Sequence, residues 1–480
     1  MNDRKGFGSN FGFLMAAVGS AVGLGNIWGF PNKMGANGGF PFLILYLALA
    51  LCCGVIIMLG ELALGRKTGH GAVGAYQSIS KRFKWLGWLG IAAAALIFSF
   101  YSALGGYCLR YVVVNFGNLI GAEFGTNGVG GADVFQGLLS QPDVSIAFAL
   151  AFMLITMLVV MSGVGGGIER VCSVGMPALF FILIICIIRS CTLPGAADGL
   201  KYMFVPGWAV ANGIIDEAPG FWRVLTAAGG QMFFSLSLGA GVMITYGSYL
   251  DKKQDLGKSA MIIVGMDTVV ALMAGLCVIP GRFALDPNGA LGGPELLFIT
   301  MQNVFDKMGP AGPVFGILFY LLVFFAAISS SISMLEVIVA HFCDKAREKG
   351  KGDRRKLYSA IAVVICAALC ALVCADGMGS NHISPAELLG LAGAKLPGWS
   401  TSWLGLFDSV AEGLLMPLGA LLMCLTISWE LKPDTLRQEI LLNGENRPWV
   451  YDFFRLCVKY ITPLCMLMIL YGQISDFFIV

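Results

Sequence analysis

Eleven stretches of this chain are apolar for about the 20 residues that a helix needs to cross a bilayer. They lie near 10–35, 39–65, 86–119, 145–163, 168–190, 222–249, 259–280, 311–342, 356–376, 403–429 and 451–478. Few folds are open to such a chain. Backbone N–H and C=O groups in hydrocarbon must be satisfied inside helices or a closed barrel, and runs of this length select helices. Composition agrees: 57% of residues are apolar and 12% charged, where a soluble domain has about half and a quarter. The expected class is an all-α polytopic membrane protein. No low-complexity linker divides the runs, so residues 1–480 are read as a single transmembrane domain. The net charge of +2 gives no argument for nucleic acid; membrane lipid is the expected surrounding.

The fourteen cysteines sit almost all singly in apolar stretches and lack metal-ligand spacing, so they read as small core residues in a reducing compartment. The first apolar run is broken by glycines, and no small-residue cleavage site follows it. It reads as a membrane segment, not a cleavable signal. Orientation follows from lysine and arginine. With the N-terminus inside, the cytoplasmic connections hold Arg4, Lys5, Arg66, Lys67, Lys81, Arg82, Lys84, Arg170, Lys252, Lys253, Lys258 and the cluster from Lys345 to Lys356. The connection before the last span adds Lys432, Arg437 and Arg447, while Gly121–Asp143 has no basic residue. A bacterial inner (plasma) membrane with a cytoplasmic N-terminus and an extracellular C-terminus is expected.

Two spans are interrupted alike. The first carries Gly19-Ser20-Ala21-Val22-Gly23-Leu24-Gly25-Asn26, and the sixth Ser235-Leu236-Ser237-Leu238-Gly239-Ala240-Gly241. Irregular backbone at membrane depth is tolerated only where it is buried in protein or lines a cavity. The interruptions stand five spans apart, and an odd offset inverts topology. Two inverted five-helix repeats are expected, at about 10–190 and 222–429, with an extra helix at about 451–478. Interruptions at matching places in two halves point to a transporter's binding site; close packing through small residues is the competing reading.

At this level of detail the chain resembles the neurotransmitter:sodium symporters, particularly the shorter bacterial sodium-coupled amino-acid transporters. The matching stretches are AVGLGNIWGFP (Ala21–Pro31), NGGFPF (Asn37–Phe42), GELALGR (Gly60–Arg66), SFYSALGGY (Ser99–Tyr107), GIER (Gly167–Arg170), GQMFFSLSLGAG (Gly230–Gly241), ITYGSYL (Ile244–Leu250), FFAAISSSIS (Phe324–Ser333) and YITP (Tyr460–Pro463). They keep the family's order over essentially the whole chain. The resemblance implies a leucine-transporter-like fold with broken helices 1 and 6. It implies symport, by alternating access, of an amino acid or related zwitterion with sodium. An enzymatic activity is not expected.

A cation stripped of water needs oxygen ligands. By resemblance, one sodium takes the carbonyls of Gly19, Val22 and Ala326 and the hydroxyls of Ser329 and Ser330. The competing reading of that serine run is hydroxyls bonding back to helix carbonyls. A second sodium would use Ala21, Asn26, Ser235 and Asp267, with the substrate's carboxylate. The implied substrate pocket is Ser20, Ala21, Gly23, Gly25, Ile97, Tyr101, Phe234, Ser235, Ser237, Ala240, Ser330 and Met334. The half-helix N-terminus near Leu24–Asn26 offers amides to a carboxylate, Tyr101 a hydroxyl, and Phe234 a cap. Alanine at 240 and glycine at 29 leave room for a large apolar or aromatic side chain.

The gating residues implied are Arg4 with Asp344, beside Tyr249, on the inner side, and Phe234 with Asp408 on the outer side. Glu412 competes with Asp408, and Gly29 replaces the usual arginine. Glu61 and Glu336 read as buried hydrogen-bond hubs, with proton carriage as the alternative. The position where bacterial relatives commonly place a fixed carboxylate is Ala271, but Asp267 stands one turn earlier on the same face. Its charge would make chloride unnecessary; a protonated Asp267 is the alternative. His70, His341 and His382 are scattered and form no metal or triad spacing. The glycines of Gly163–Gly167 follow no strand, so a dinucleotide loop is not expected. A channel or leak pathway, a proton-coupled transporter and a non-transporting sensor are the competing functions.

Overall fold

The computed structural model describes residues 6–288, 295–352, 354–391, 398–431, 435–441 and 448–478. Every regular element among them is helical. Nine helices there are long and apolar enough to span a bilayer. A tenth span is a bent pair, α1 (Asn10–Ala21) and α2 (Gly25–Ala36), set 45° apart across a three-residue break. In chain order the nine begin with α3 (Phe40–Thr68), α4 (Lys81–Ile120), α5 (Pro142–Met161) and α6 (Val164–Cys191). After two shorter helices, α7 (Phe221–Ser235) and α8 (Val242–Gly247), come α9 (Leu256–Leu285), α10 (Gly309–Glu348), α11 (Arg355–Asp376), α12 (Trp403–Glu430) and α13 (Pro448–Ser475).

The expected sixth span, 222–249, is therefore two helices of 15 and 6 residues, each too short to cross alone. The cause is local. Ser237, Gly239 and Gly241 have φ of 53°, 81° and 73°, and a right-handed helix cannot run through left-handed residues. Gly239 has a second reason to lack a side chain: a Cβ there would run into the Met416 carbonyl of α12.

Helices α4 and α10 form the most extensive pair in the molecule. They make a scaffold, and α1 lies against α10 with α6 and α9 on its other flanks. Small residues allow close approach, as expected where lipid supplies no hydrophobic drive between helices. A Cβ on Gly106 of α4 would stand 2.6 Å from the Ala149 nitrogen of α5. Several helices contain single π turns, among them Val164–Glu169 at the start of α6 and Ser409–Leu415 in α12. Such turns re-aim side chains and are frequent at functional sites. All fourteen cysteines are free.

Candidate functional site

The break in the first span builds the centre of the site. Ser9 caps α1, its hydroxyl accepting the Gly12 N–H at 2.9 Å. The helix ends at Ala21, because Val22 turns to an extended conformation (φ −74°, ψ 98°). That frees the amides at the start of α2. The Gly23 N–H donates to Asn26 Oδ1 at 3.0 Å, and the Leu24 N–H donates to the Tyr101 hydroxyl of α4 at 2.5 Å. Gly23 must be glycine, since a Cβ would collide with the hydroxyls of Ser330 and Tyr101.

Around this break lies a small cavity. Ser20, Ala21, Gly23 and Gly25 line it from the broken span, Ile97 and Tyr101 from α4, Phe234 and Ser237 from the second break, and Ser330 and Met334 from α10. One side is hydroxyl-rich and the other apolar. Phe234 meets Tyr101 edge-on, ring centroids 6.2 Å apart. These are ten of the twelve residues expected around a pocket. Ser235 and Ala240 are not in the lining. Ser235 belongs to the oxygen cluster described next. Ala240 is carried away by the left-handed turn around Ser237–Gly241, and its carbonyl faces Gly90 of α4. The room expected beside it for a large side chain is therefore not at position 240.

A buried oxygen cluster adjoins the cavity. Asn26 Nδ2 donates to Asp267 Oδ1 (2.8 Å) and to the Asp267 carbonyl (3.0 Å). The Ser235 hydroxyl lies 3.0 and 2.9 Å from the two carboxylate oxygens, and the Tyr46 hydroxyl donates to Oδ2 at 3.3 Å. All four residues are buried. One carboxylate on α9 thus joins the helix ends that flank the two breaks. Ala271, one turn along, is buried and adds no second charge.

The serine run of α10 forms a second cluster. The Ser330 hydroxyl reaches the Gly19 and Ser20 carbonyls at 3.4 and 3.1 Å. Ser329 bonds back to the Phe325 and Ala326 carbonyls at 3.1 and 3.0 Å, as the competing reading of the run expected. It still sits beside the break: a Cβ on Gly19 would stand 3.2 Å from Ser329 Cβ. Ser20 is tied on both sides, its hydroxyl to Ser333 (2.7 Å) and its carbonyl to Ser237 (3.1 Å). Val22 is the first non-helical residue of the break.

Polar contacts close both ends. At one end, Lys33 Nζ of α2 pairs with Glu412 Oε2 of α12 at 3.3 Å. This ion pair uses Glu412, not Asp408. At the other end Arg4 lies outside the described residues, and Asp344 accepts the Gly71 N–H at 3.1 Å with Arg347 3.6 Å away. Tyr249 donates to Glu336 at 2.5 Å, and Arg355 completes a buried pair with the same carboxylate. Glu169, in the π turn opening α6, accepts the Gly8 N–H (2.7 Å) and the Ser9 hydroxyl (2.8 Å), fastening the start of α1. Glu61 accepts the Gly239 N–H at 2.7 Å and so supports the second break as a structural hub.

Tyr46, Lys33, Ser333 and Glu169 are absent from the residues expected from sequence. Tyr46 carried a signal, because a tyrosine at membrane depth needs a hydrogen-bond partner. The others carried none, since their partners lie 160 to 379 positions away.

Two broken helices whose ends meet at a buried pocket and a buried oxygen cluster are the arrangement expected of a secondary transporter. Comparison with known proteins agrees. The chain belongs to the sodium:neurotransmitter symporter family, whose profile matches residues 4–127 and 132–478. It is 36% identical over 477 residues to an uncharacterized sodium-dependent transporter of Bacillus subtilis, covering 97% of each chain. It is 30% identical over 459 residues to another from Methanocaldococcus jannaschii, covering 91% of this chain and 84% of that one. The crystal structure of MhsT in complex with L-phenylalanine matches 98% of this chain and 100% of its own, at 34% identity and a TM-score of 0.83. The protein is thus a multi-pass membrane transporter of the sodium-dependent kind, with a leucine-transporter-like fold.

Proposed function

We propose that this protein is a sodium-coupled symporter that imports an L-amino acid with a large apolar or aromatic side chain across a bacterial inner membrane, by alternating access. The N-terminus is cytoplasmic and the C-terminus extracellular. The observation that carries the reading is the shared wall between cavity and clusters. Ser330 lines the cavity and reaches the Gly19 carbonyl, while Asn26 and Ser235 bind Asp267 immediately beside it. A substrate and two sodium ions bound there would share ligands, which is how one gradient drives another solute.

In this reading the substrate carboxylate meets the Leu24 amide and the Tyr101 hydroxyl at the positive end of α2. Its side chain points to Ile97, Phe234 and Met334. One sodium takes the carboxylate, Asn26, Asp267, Ser235 and the Ala21 carbonyl. The other takes Gly19, Val22, Ala326, Ser329 and Ser330. Asp267 supplies the balancing negative charge, so chloride is not required. That a relative of this similarity forms a complex with L-phenylalanine supports the substrate class.

The test is uptake of a labelled amino-acid panel into proteoliposomes, with and without an inward sodium gradient, in chloride and in gluconate. Sodium-driven accumulation of aromatic or large aliphatic amino acids, equal in the two anions, is expected. Best uptake of glycine or alanine would overturn the size class. A strict chloride requirement would show that Asp267 does not carry the charge.

A further inference from the structure

The charged layer between pocket and outside is displaced in this chain. Position 29, in the first turns of α2, is glycine, and the residue facing it is neutral. Gln231 donates to the Gly25 carbonyl at 2.5 Å, and its Oε1 is 2.9 Å from where a Cβ on Gly29 would stand. The cation comes one turn later. Lys33 is 3.3 Å from Glu412, whose side chain is only 6% exposed against 26% for the lysine. Asp408, one turn before Glu412 on α12, stands beside Glu412 and within the influence of Lys33, but the ion pair is made by Glu412. The π turn at Ser409–Leu415 changes the helical register after Asp408 and turns Glu412 inward.

The two partners stand on parts that must separate. α2 carries Asn26 and begins directly after the Leu24 amide. α12 packs against α4, on the scaffold side. For the cavity to open outward, α2 and α12 must part, and the Lys33–Glu412 pair bridges them. We propose that Lys33 and Glu412 are the outer latch of this transporter, set one helical turn, about 5.4 Å, beyond the neutral Gly29–Gln231 layer. The latch touches neither substrate nor ion. It positions α2 over the loaded pocket and slows outward escape. This inference rests on the transport reading above.

The test follows release of bound L-[³H]phenylalanine, and in parallel of radiolabelled sodium, from the purified full-length protein. Truncating one partner of a largely buried charge pair acts mainly on dissociation, so K33M and E412Q are each expected to speed release about tenfold. The charge swap K33E/E412K should return release to within about threefold of the unmodified protein, because the two sites are directly coupled. D408N should have a smaller effect than E412Q. The swap keeps both charges, so it still judges the latch if a single variant fails to fold. Unchanged release in both single variants, a swap no slower than they are, or a larger effect of D408N would each overturn the latch. If the unmodified protein binds no L-phenylalanine, the proposed substrate is wrong, and sodium release alone decides the latch by the same criteria.

Discussion

Single side chains at the centre of this protein serve more than one element. Ser330 is a pocket wall and a contact to the Gly19 carbonyl, and Ser329 now bonds within its own helix. A hydroxyl that leaves an Ala326 carbonyl for a cation gives up a bond worth about 1 kcal/mol, a small cost beside ion coordination. The double variant S329A/S330A is therefore expected to lose sodium-driven accumulation while still reaching the membrane. The check is uptake against external sodium concentration; normal sodium dependence would show that the ion sits elsewhere. The position to test for substrate size is Ile97 and not Ala240. Ile97 lines the cavity and Ala240 does not. I97F should shift preference toward smaller amino acids. A240F should instead overpack a fully buried position and cost about 1–3 kcal/mol of stability. Competition by a series of amino acids separates the first effect, and thermal unfolding in detergent the second.

At the scale of elements, the two broken spans are held open by side chains from elsewhere. Glu61 satisfies the Gly239 amide in the second break, and Tyr101 the Leu24 amide in the first. The start of α1 depends on Glu169, around which the chain is shaped: a Cβ on Gly12 would run into the Glu169 side chain. A carboxylate at a helix N-terminus is worth about 0.3–1 kcal/mol, and up to about 2 kcal/mol when partly buried. E169Q should loosen the inner end of α1 and favour the inward-facing form. About a fivefold loss of apparent substrate affinity at limiting sodium is expected, since roughly 1 kcal/mol is a factor of five. Equilibrium binding at low and saturating sodium checks this. Unchanged affinity at both would remove Glu169 from the cycle.

At the scale of the whole molecule, a charged network joins the end of α3 to two connections. Arg66 Nε of α3 pairs with Glu439 at 2.8 Å and its Nη2 donates to the Glu439 carbonyl at 2.6 Å, while Lys252 Nζ reaches the same carboxylate at 2.7 Å. Burial alone would raise the Glu439 pKa, but Lys252 and Arg66 together hold it below the usual carboxylate range. A depressed folded pKa contributes stability that is present above the unfolded value and is lost as pH falls through the folded one. Breaking a buried pair from one side costs about 3–5 kcal/mol. E439Q should therefore unfold at a lower temperature at pH 7, with the gap to the unmodified protein narrowing as the pH drops below the ordinary carboxylate range. A gap constant with pH would mean that the charge does not matter.

The amino-acid order alone determined the class, the helical fold and the two breaks, because runs of about 20 apolar residues and mid-membrane glycines are local facts with few physical solutions. With the family resemblance it also named twelve pocket residues, ten of which the fold brings around one cavity. What the tertiary structure alone decided are contacts between positions far apart in the chain. Ala240 lies outside the cavity lining, next to three left-handed residues that turn the chain, and backbone handedness at a particular serine is not written in composition. Lys33 meets Glu412 across 379 positions, and Arg66 meets Glu439 across 373. A charge at membrane depth announces that it needs a partner, but which partner depends on how helices are packed and on the phase that a π turn gives to one of them.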